Sequence, residues 1–317
     1  MSPTSIRTRF LILSDTHGAE LPDACFEHSA DVVIHCGDLT NSSYITEFQA
    51  TIKQLQRLKA PIKLVIAGNH DFTLDTPTFE QKIREAGLEN DSSVKKVYGD
   101  YEEVRTLFEN EQDNGIIFLD EGTHLSTLPN GALLNIYASP YTPSLGDWGF
   151  QYHPERGHDF QIEEDVDIVI THGPPRGIMD YTDNRRAGCP DLFKAIARSR
   201  PQMHCFGHIH EGWGAMIAQW RDRTLIGNEP SHFTAIDYGQ SSVVTKLSRL
   251  DPETSPAVVE TSHCTDDAIP LKTDHQTLFI NAAFEASNTA GDGLEMHPVW
   301  QVDLELPCAK IVRSAAH

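Results

Sequence analysis

Five short segments of this chain each end an apolar, strand-like run with residues that commonly bind metal ions. The residues concerned are Asp15, His17, Asp38, Asn69, His70, His172, His208 and His210. A single Gly-Asp or Asn-His pair is more often a turn than a metal site. Five such segments, built only from Asp, Asn and His and all placed at strand ends, are difficult to explain by chance. Because they must converge on one site, residues 15–210 are predicted to belong to one folded unit.

The order of the predicted elements favours an α/β fold. Strand-like runs precede the motifs at 10–13, 32–34, 64–67, 166–170 and 203–206. Further strands are predicted at 116–119, 133–138, 213–218, 277–283 and 300–306. Helical spacing of apolar residues predicts helices at 45–58, behind capping candidates at 41–43, and at 76–87 and 192–199. In open α/β sheets, ligands bind beyond the carboxyl ends of the strands, and the motifs fall there.

The composition is that of a globular protein with excess negative charge. Hydrophobic residues make up 39% of the 317 residues, which suffices for a sizeable core. The 25 basic and 46 acidic side chains give a net charge of −21, which disfavours long nucleic acid as a partner. No apolar run approaches the ~18 residues of a membrane span. Six cysteines without a C-x-x-C pair suit a reducing compartment, so the protein is expected to be cytoplasmic and not to bind a membrane.

One long segment departs from the pattern of alternating strands and helices. Residues 221–276 are rich in Ser, Thr, Asp and Pro, and their apolar runs are short. They are predicted to form an irregular insertion within a single domain that spans residues 1–317. Because the insertion follows the strand behind His208 and His210, we expect a lid or pocket wall that selects the substrate.

The residue types and their spacing predict a centre of two metal ions. Asp15 and His17 are two apart in an extended segment, so both side chains leave one face and can hold one ion. The same spacing argument pairs His208 with His210. A carboxylate has two oxygens, so Asp38 can bridge two cations.

The adjacent Asn69 and His70 point in different directions. Asn69 is suited to bind an ion as an oxygen ligand, and His70 to donate a proton to a substrate. The donors fit two divalent ions such as Mn, Fe(II), Zn or Co. A hydroxide held between such ions would attack phosphorus, and protonated His70 would neutralise the leaving alkoxide.

These segments together resemble the calcineurin-like metallophosphoesterase superfamily. The flanking sequences more narrowly resemble its metallophosphoesterase-domain-containing (MPPED-like) subfamily: I-Y-A-S-P at 136–140, D-W at 147–148, T-H-G-P-P at 171–175, F-G-H-I-H-E-G at 206–212 and F-I-N-A-A at 279–283. The resemblance implies a four-layer αββα sandwich of two mixed β-sheets flanked by helices. It also implies phosphodiesterase-type activity that includes cyclic nucleotides. For the metals, it implies one site with Asp15, His17, Asp38 and His210, and a second with Asp38, Asn69, His172 and His208.

The predicted function is therefore a dinuclear phosphodiesterase acting on a small phosphodiester, with His70 as general acid. The alternatives are a phosphomonoesterase on the same site and a catalytically silent protein-binding scaffold. The segment after Asp38 lacks the arginine-bearing motif of Ser/Thr phosphoprotein phosphatases, and no tyrosine follows as in purple acid phosphatases. Protein phosphatase activity and an Fe(III)-tyrosinate site are therefore disfavoured.

The sequence assigns no substrate-binding residue, but several side chains near the motifs have two interpretations. Four aromatic side chains could line a pocket or anchor loops, and loop anchoring is the preferred interpretation: Tyr141, Trp148, Phe150 and Tyr152. Three arginines could steer a phosphate or could simply be exposed to solvent, and solvent exposure is the preferred interpretation: Arg176, Arg185 and Arg186. Asp71 either orients His70 or caps a helix. His35 and His204 lie within apolar strands and are interpreted as core residues or as residues that support the ligands.

Overall fold

Two large β-sheets organise the chain in a computed structural model that describes residues 5–227, 229–286 and 296–309. The strands are β1 (Ser5–Leu13), β2 (Val32–His35), β3 (Ile62–Val65), β4 (Ile116–Phe118), β5 (Gly122–Thr127), β6 (Leu133–Ser139), β7 (Thr142–Pro143), β8 (Gln151–Tyr152), β9 (Ile168–Thr171), β10 (Tyr181–Thr182), β11 (Arg185–Arg186), β12 (Met203–Phe206), β13 (Gly214–Gln219), β14 (Ser242–Lys246), β15 (Val258–Ser262), β16 (Gln276–Asn281) and β17 (Val299–Pro307). The α-helices are α1 (Ile45–Arg57), α2 (Thr76–Glu85), α3 (Ser92–Tyr98), α4 (Glu103–Glu109), α5 (Pro190–Ser199), α6 (Arg223–Ile226) and α7 (His232–Ala235).

Both large sheets are mixed, as the sequence predicts. One has the strand order β15-β17-β1-β2-β3-β4, and the other has the order β14-β13-β16-β12-β9-β6-β5. In the first sheet β1 to β4 are parallel and β17 is antiparallel to β1. In the second sheet β6, β9, β12 and β16 are parallel, with antiparallel neighbours β5 and β13. The parallel strands bring their carboxyl ends to a common edge, so the loops that follow them meet there.

The two sheets pack face to face with helices on the outer faces, which confirms the predicted αββα arrangement. Along β1, Phe10 and Ile12 belong to the apolar core between the sheets. The alternate residues Leu11 and Leu13 pack with apolar side chains of α1 and α4 on one outer face. Helix α5 covers the other outer face, where Phe193 joins the apolar side chains of the second sheet. Strands that are buried on both faces have continuous apolar sequences, and these runs made the strands predictable, whereas the four-layer arrangement was implied by the family resemblance.

The predicted helices are present, but the predicted cap of the first one is wrong. Helix α1 begins after Tyr44 rather than after a side-chain cap at 41–43. The carboxylate of Glu47 accepts hydrogen bonds from the backbone N–H groups of Asn41, Ser42 and Tyr44. One glutamate in the first turn therefore satisfies three backbone donors of the segment that leads into the helix.

The prediction that residues 221–276 are irregular is also wrong. Strand β14 pairs with β13 at the edge of the second sheet, and β15 pairs with β17 at the edge of the first. The segment thus extends both sheets. Edge strands bury less of their surface than central ones, so short apolar pairs such as Val258-Val259 are enough to form them. The organisation of residues 1–317 as a single domain remains a prediction.

The six cysteines are free and buried, and Cys36 and Cys205 lie in the core between the sheets. Among the described residues, none of the helices has both the length and the apolar character needed to cross a bilayer.

Candidate metal centre

Asp15, His17 and His210 lie together beyond the carboxyl ends of β1 and β12. One ligand atom from each lies within 4.8 Å of the others. The Nε2 atom of His210 is 3.4 Å from Oδ1 of the fully buried Asp15. Three of the four residues implied for the first metal are therefore gathered by the fold.

A second group consists of Asp38, His172 and His208, whose ligand atoms also lie within 4.8 Å of one another. The Nε2 atom of His172 is 3.3 Å from Asp38 Oδ2. The same nitrogen lies 3.0 Å from Asn69 Oδ1, so the neutral amide stands beside this group. The four residues implied for the second metal therefore lie in one place.

The Asp38 carboxylate lies between the two groups. Its Oδ2 atom is 3.6 Å from His17 Nε2 and 3.3 Å from His172 Nε2, although these histidines belong to different groups. A carboxylate in this position can contribute an oxygen to each of two ions. The bridging role expected from the sequence is compatible with this position and remains a proposal.

The backbone at the ligands is turned rather than extended, which corrects the geometry expected from residue spacing. Asp15, His17, Asp38 and His208 have φ values of 52°, 46°, 52° and 67°. His208 and His210, which the spacing argument paired, are in separate groups because the chain turns at His208 and enters a 3-10 helix at His210. Left-handed backbone at non-glycine residues costs energy and concentrates at functional sites.

Hydrogen bonds to backbone carbonyls orient two of the imidazoles of the candidate centre. The Nδ1 atom of His17 donates to Thr40 O at 3.2 Å, and that of His172 donates to Cys36 O at 3.0 Å. Each bond fixes the tautomer in which Nε2 carries the lone pair, and metal-binding histidines usually have such a partner. The donor set therefore fits divalent ions.

The electrostatics of the centre also fit cations. Burial would raise the pKa of Asp15, but the hydrogen bond and charge of His210 outweigh it and hold that pKa well below its usual range. For Asp38, His172 and His17 likewise outweigh burial and lower the pKa. Burial opposes protonation of His172, yet the nearby carboxylates raise its pKa to about 9, whereas burial lowers the pKa of His208 to about 4. Without metals, protonated imidazole therefore balances carboxylates that are ready to bind dications.

His70 lies beside both groups. Its Nδ1 atom donates to Asn41 O at 2.7 Å, which leaves Nε2 available to a substrate. Its ring stacks on the ring of Trp148, with 4.3 Å between centroids and an angle of 28° between planes. Its backbone N–H donates to Asp38 Oδ1 at 2.8 Å. Two contacts thus hold the side chain that the sequence singled out as the proton donor, and a third holds its backbone.

Asp71 has neither of the two roles considered for it. Its buried carboxylate accepts hydrogen bonds from the backbone N–H groups of Gly68, Leu39 and Thr40, and so ties together the loops that carry Asp38 and Asn69. Burial and the charge of Asp38 raise its pKa to about 7.

His35 and His204 support the ligands from within the two sheets. His35 Nε2 is 3.0 Å from the hydroxyl of Thr16, which separates Asp15 from His17. His204 Nε2 is 2.8 Å from the hydroxyl of Thr171, which precedes His172. Both rings are fully buried, and burial lowers the pKa of each to about 3. The two neutral histidines are therefore supporting residues, in agreement with the sequence interpretation.

Gly207 leaves the space that the Asp15 carboxylate occupies. A Cβ atom at Gly207 would lie 1.9 Å from Asp15 Oδ2 and 2.2 Å from Ser14 Oγ. Only glycine allows this approach, so the glycine before His208 is a structural requirement of the first group.

Sequence reasoning missed Glu285, whose Oε2 atom lies 3.6 Å from His17 Nε2. This residue follows β16, which is a parallel neighbour of β12. The strand-end criterion used for the other motifs could have identified it, but no Asp or His motif drew attention to that strand end.

A cleft of about 780 Å³ adjoins the second group at His208. Its lining includes Arg176, Arg185, Arg186 and Tyr152. The preferred sequence interpretation of these arginines as a solvated run missed this location, because their approach to His208 depends on the fold. Among the four aromatic residues, Trp148 lies at His70, whereas Tyr141 and Phe150 pack edge to face on each other.

Comparison with known proteins agrees with this geometry. The sequence profile of the calcineurin-like phosphoesterase family matches residues 8–212. Metallophosphoesterase domain-containing protein 1 of Homo sapiens and its counterpart of Mus musculus are each 36% identical over 217 residues, covering 66% of this chain and 62% of theirs. A protein of Emericella nidulans named probable rhamnogalacturonate lyase C is 32% identical over 217 residues, covering 67% of this chain and 18% of its own. The chain thus spans less than two thirds of the length of these relatives.

Proposed function

We propose that this chain, which belongs to the calcineurin-like phosphoesterase family and to its metallophosphoesterase-domain-containing subfamily, is a dinuclear phosphodiesterase of small substrates. The observation that carries the proposal is the position of Asp38 between two ligand groups. One ion would be held by Asp15, His17, Asp38 and His210. The other would be held by Asp38, Asn69, His172 and His208.

The family is metal-dependent, and the ions would supply the electrophilic part of the chemistry. When bound, two dications polarise the phosphoryl oxygens and activate a water molecule for attack on phosphorus. Oxygen and nitrogen donors without thiolate suit Mn, Fe(II) or Zn. The choice among these ions remains a prediction, as does the cytoplasmic location.

His70 would complete the reaction by protonating the leaving oxygen. Its Nδ1–H is engaged by the carbonyl of Asn41, so Nε2 is the nitrogen that would deliver a proton. Stacking on Trp148 limits rotation of the ring, which helps to keep that nitrogen in place. Departure of the alkoxide as an alcohol would then break the P–O bond without charge building up on the leaving group.

An assay of phosphate esters combined with metal analysis tests the proposal. Protein purified without chelator should contain up to two transition ions and should hydrolyse bis(4-nitrophenyl) phosphate faster than 4-nitrophenyl phosphate. Chelation should abolish the activity, and Mn, Fe(II) or Zn should restore it. Asp38→Ala should lose both ions together with activity, whereas the exposed surface variant Asp113→Ala should retain both.

The same assay separates the alternatives. Preference for the monoester would make the protein a phosphomonoesterase on the same site. Two bound ions with no turnover of any ester would favour the silent scaffold. Full metal occupancy in Asp38→Ala would contradict the bridging role. Hydrolysis of cyclic nucleotides, which the subfamily resemblance implied, is measured with the same panel.

A further inference from the structure

We infer that the cleft beside His208 is a subsite for a second anionic group, and that the substrate is a phosphodiester carrying an additional phosphate. This inference rests on the proposed function, since the diester itself would lie at the two ligand groups. The cleft is continuous with the second group through His208 and Ile209. Its volume of about 780 Å³ is within the range of small-molecule sites.

The charge of the lining is opposite to that of the protein as a whole. The lining contains three residues with guanidinium groups, Arg176, Arg185 and Arg186, and one with a carboxylate, Asp191. Asp191 already has a cation nearby, with Lys194 Nζ at 3.6 Å. In a chain of net charge −21, this concentration of positive charge beside the centre indicates an anionic ligand. Planar guanidinium groups bind phosphate oxygens in pairs, which makes a phosphate the matching ligand.

The side chains of two of the three arginines form few interactions within the described part of the protein. Within the described part of the chain, the side chain of Arg185 forms no hydrogen bond or ion pair, and that of Arg176 reaches only the carbonyl of Arg186 at 3.5 Å. The chain has 46 acidic side chains, yet neither arginine is paired with one of those that the structure describes. Their guanidinium groups are therefore available for a ligand.

The third arginine and its hairpin are held in place. Strands β10 and β11 form a tight antiparallel pair, and the two turn residues Asp183 and Asn184 have φ values of 48° and 59°. Turns of this kind match the twist of the strands they join. Arg186 Nη1 lies 2.7 Å from Oδ1 of the buried Asp180, whose carboxylate also accepts the backbone N–H of Gly177 at 2.9 Å. Arg185 and Arg186 are therefore presented on a hairpin of defined geometry.

Residues 221–276 support this hairpin instead of covering the centre. None of their described residues lines the cleft. The ring of His232 in α7 packs so closely on Gly177 that an added Cβ there would lie 2.2 Å from it. The Nδ1 atom of His232 is 2.9 Å from the hydroxyl of Tyr238, which fixes the ring. A series of contacts thus connects residues 221–276, through Gly177, to Asp180 and Arg186. The segment would therefore act on the substrate by positioning Arg186.

The second anion distinguishes this substrate from a cyclic mononucleotide. A 3′,5′-cyclic mononucleotide carries one phosphate, which the two ligand groups would engage. It would leave the arginines without a partner. A diester with a further phosphate satisfies both regions at once.

The test compares two substrates that differ by one phosphate and release the same group. They are thymidine 5′-(4-nitrophenyl phosphate) and its 3′-phosphorylated analogue, each assayed with the metal-loaded full chain. The ratio of kcat/KM should favour the analogue roughly tenfold at low ionic strength, the scale of several exposed charge pairs including bidentate ones. The preference should shrink in 0.5 M KCl because exposed charges are screened. Arg185→Gln and Arg176→Gln should each lower the ratio, whereas the exposed Arg84→Gln on α2, outside the cleft, should leave it unchanged.

Binding separates failure of this inference from failure of the proposed function. Calorimetry compares thymidine 3′,5′-bisphosphate with thymidine 5′-monophosphate and does not require turnover. If both esters are hydrolysed at equal rates, the subsite inference is wrong and the proposed function stands. If neither is hydrolysed, the proposed function fails. The subsite is then still supported if the bisphosphate binds about tenfold tighter and Arg185→Gln removes the difference, and it is refuted if the two ligands bind equally.

Discussion

Replacing Gly207 by alanine should specifically damage the first metal site. The new Cβ atom would lie 1.9 Å from Asp15 Oδ2, so the carboxylate must retreat by about 1.5 Å to reach an ordinary contact of 3.4 Å. Carboxylate ligands bind zinc-like ions at about 2.0–2.2 Å, and sites tolerate deviations of only about 0.2 Å. Asp15 therefore could not keep its place as a ligand.

The magnitude follows from this displacement. Loss of groups that merely orient ligands weakens metal binding by roughly 10–100-fold, so displacing a ligand should cost at least about 100-fold. The backbone N–H of His208 donates to both Asp15 oxygens at 3.0 Å, so the second site should weaken as well, but less. Overpacking should also destabilise the metal-free protein by about 1–3 kcal/mol.

Metal titration by calorimetry, together with the metal content after gel filtration, measures both effects. Wild-type protein should retain two ions, and Gly207→Ala about one. The matched control is Gly239→Ala, at a surface turn where the nearest atom to an added Cβ is 3.3 Å away. Chelated protein is compared by thermal unfolding, and circular dichroism confirms that each variant is folded. Two ions bound to Gly207→Ala with wild-type affinity would refute the close-packing argument.

Four further outcomes are expected. His70→Ala should keep its metals and should lose roughly 10²–10⁴-fold in rate on esters with poor leaving groups. The loss on activated aryl esters should be much smaller, because general acid catalysis matters little for good leaving groups. Equal losses on both kinds of ester would mean that His70 binds the phosphate. His17→Ala should mainly empty the first site, while the half-buried His124→Ala on β5, outside both groups, should retain both ions, as metal analysis will show. A metal ion must displace the proton of His172, whose pKa is raised to about 9, so metal affinity should rise with pH up to about 9. Metal binding at pH 7 should therefore release protons. Calorimetric titration in buffers of different ionisation enthalpy measures this release. The stability of the metal-free protein has the opposite dependence: the raised pKa contributes fully below pH 6.5 and is lost as the pH rises through 9. No proton release at pH 7 would contradict this account.

Much of the fold was predictable because its central strands are buried on both faces. Runs such as Phe10 to Leu13 contain no polar residue, and they end at residues that a parallel sheet brings to one edge. The edge strands β14 and β15 were not predictable in the same way. They are short and partly exposed. A long stretch of chain separates β14 from its partner β13, and another separates β15 from its partner β17.

The sequence alone determined which residue types meet at the centre, since a series of Asp, Asn and His residues at successive strand ends is typical of a metal site. Their spacing along the chain did not show how they are grouped; the family resemblance implied a grouping, and the tertiary structure gives its physical reason. Left-handed turns at Asp15 and His208 override the two-residue periodicity of a strand, so His210 joins Asp15 and His208 joins Asp38. The same holds for Arg185, whose place beside His208 depends on a hairpin and on the packing of His232 against Gly177. Local propensity acts over a few residues, whereas such contacts depend on how distant segments pack, and spacing along the chain carries no information about that.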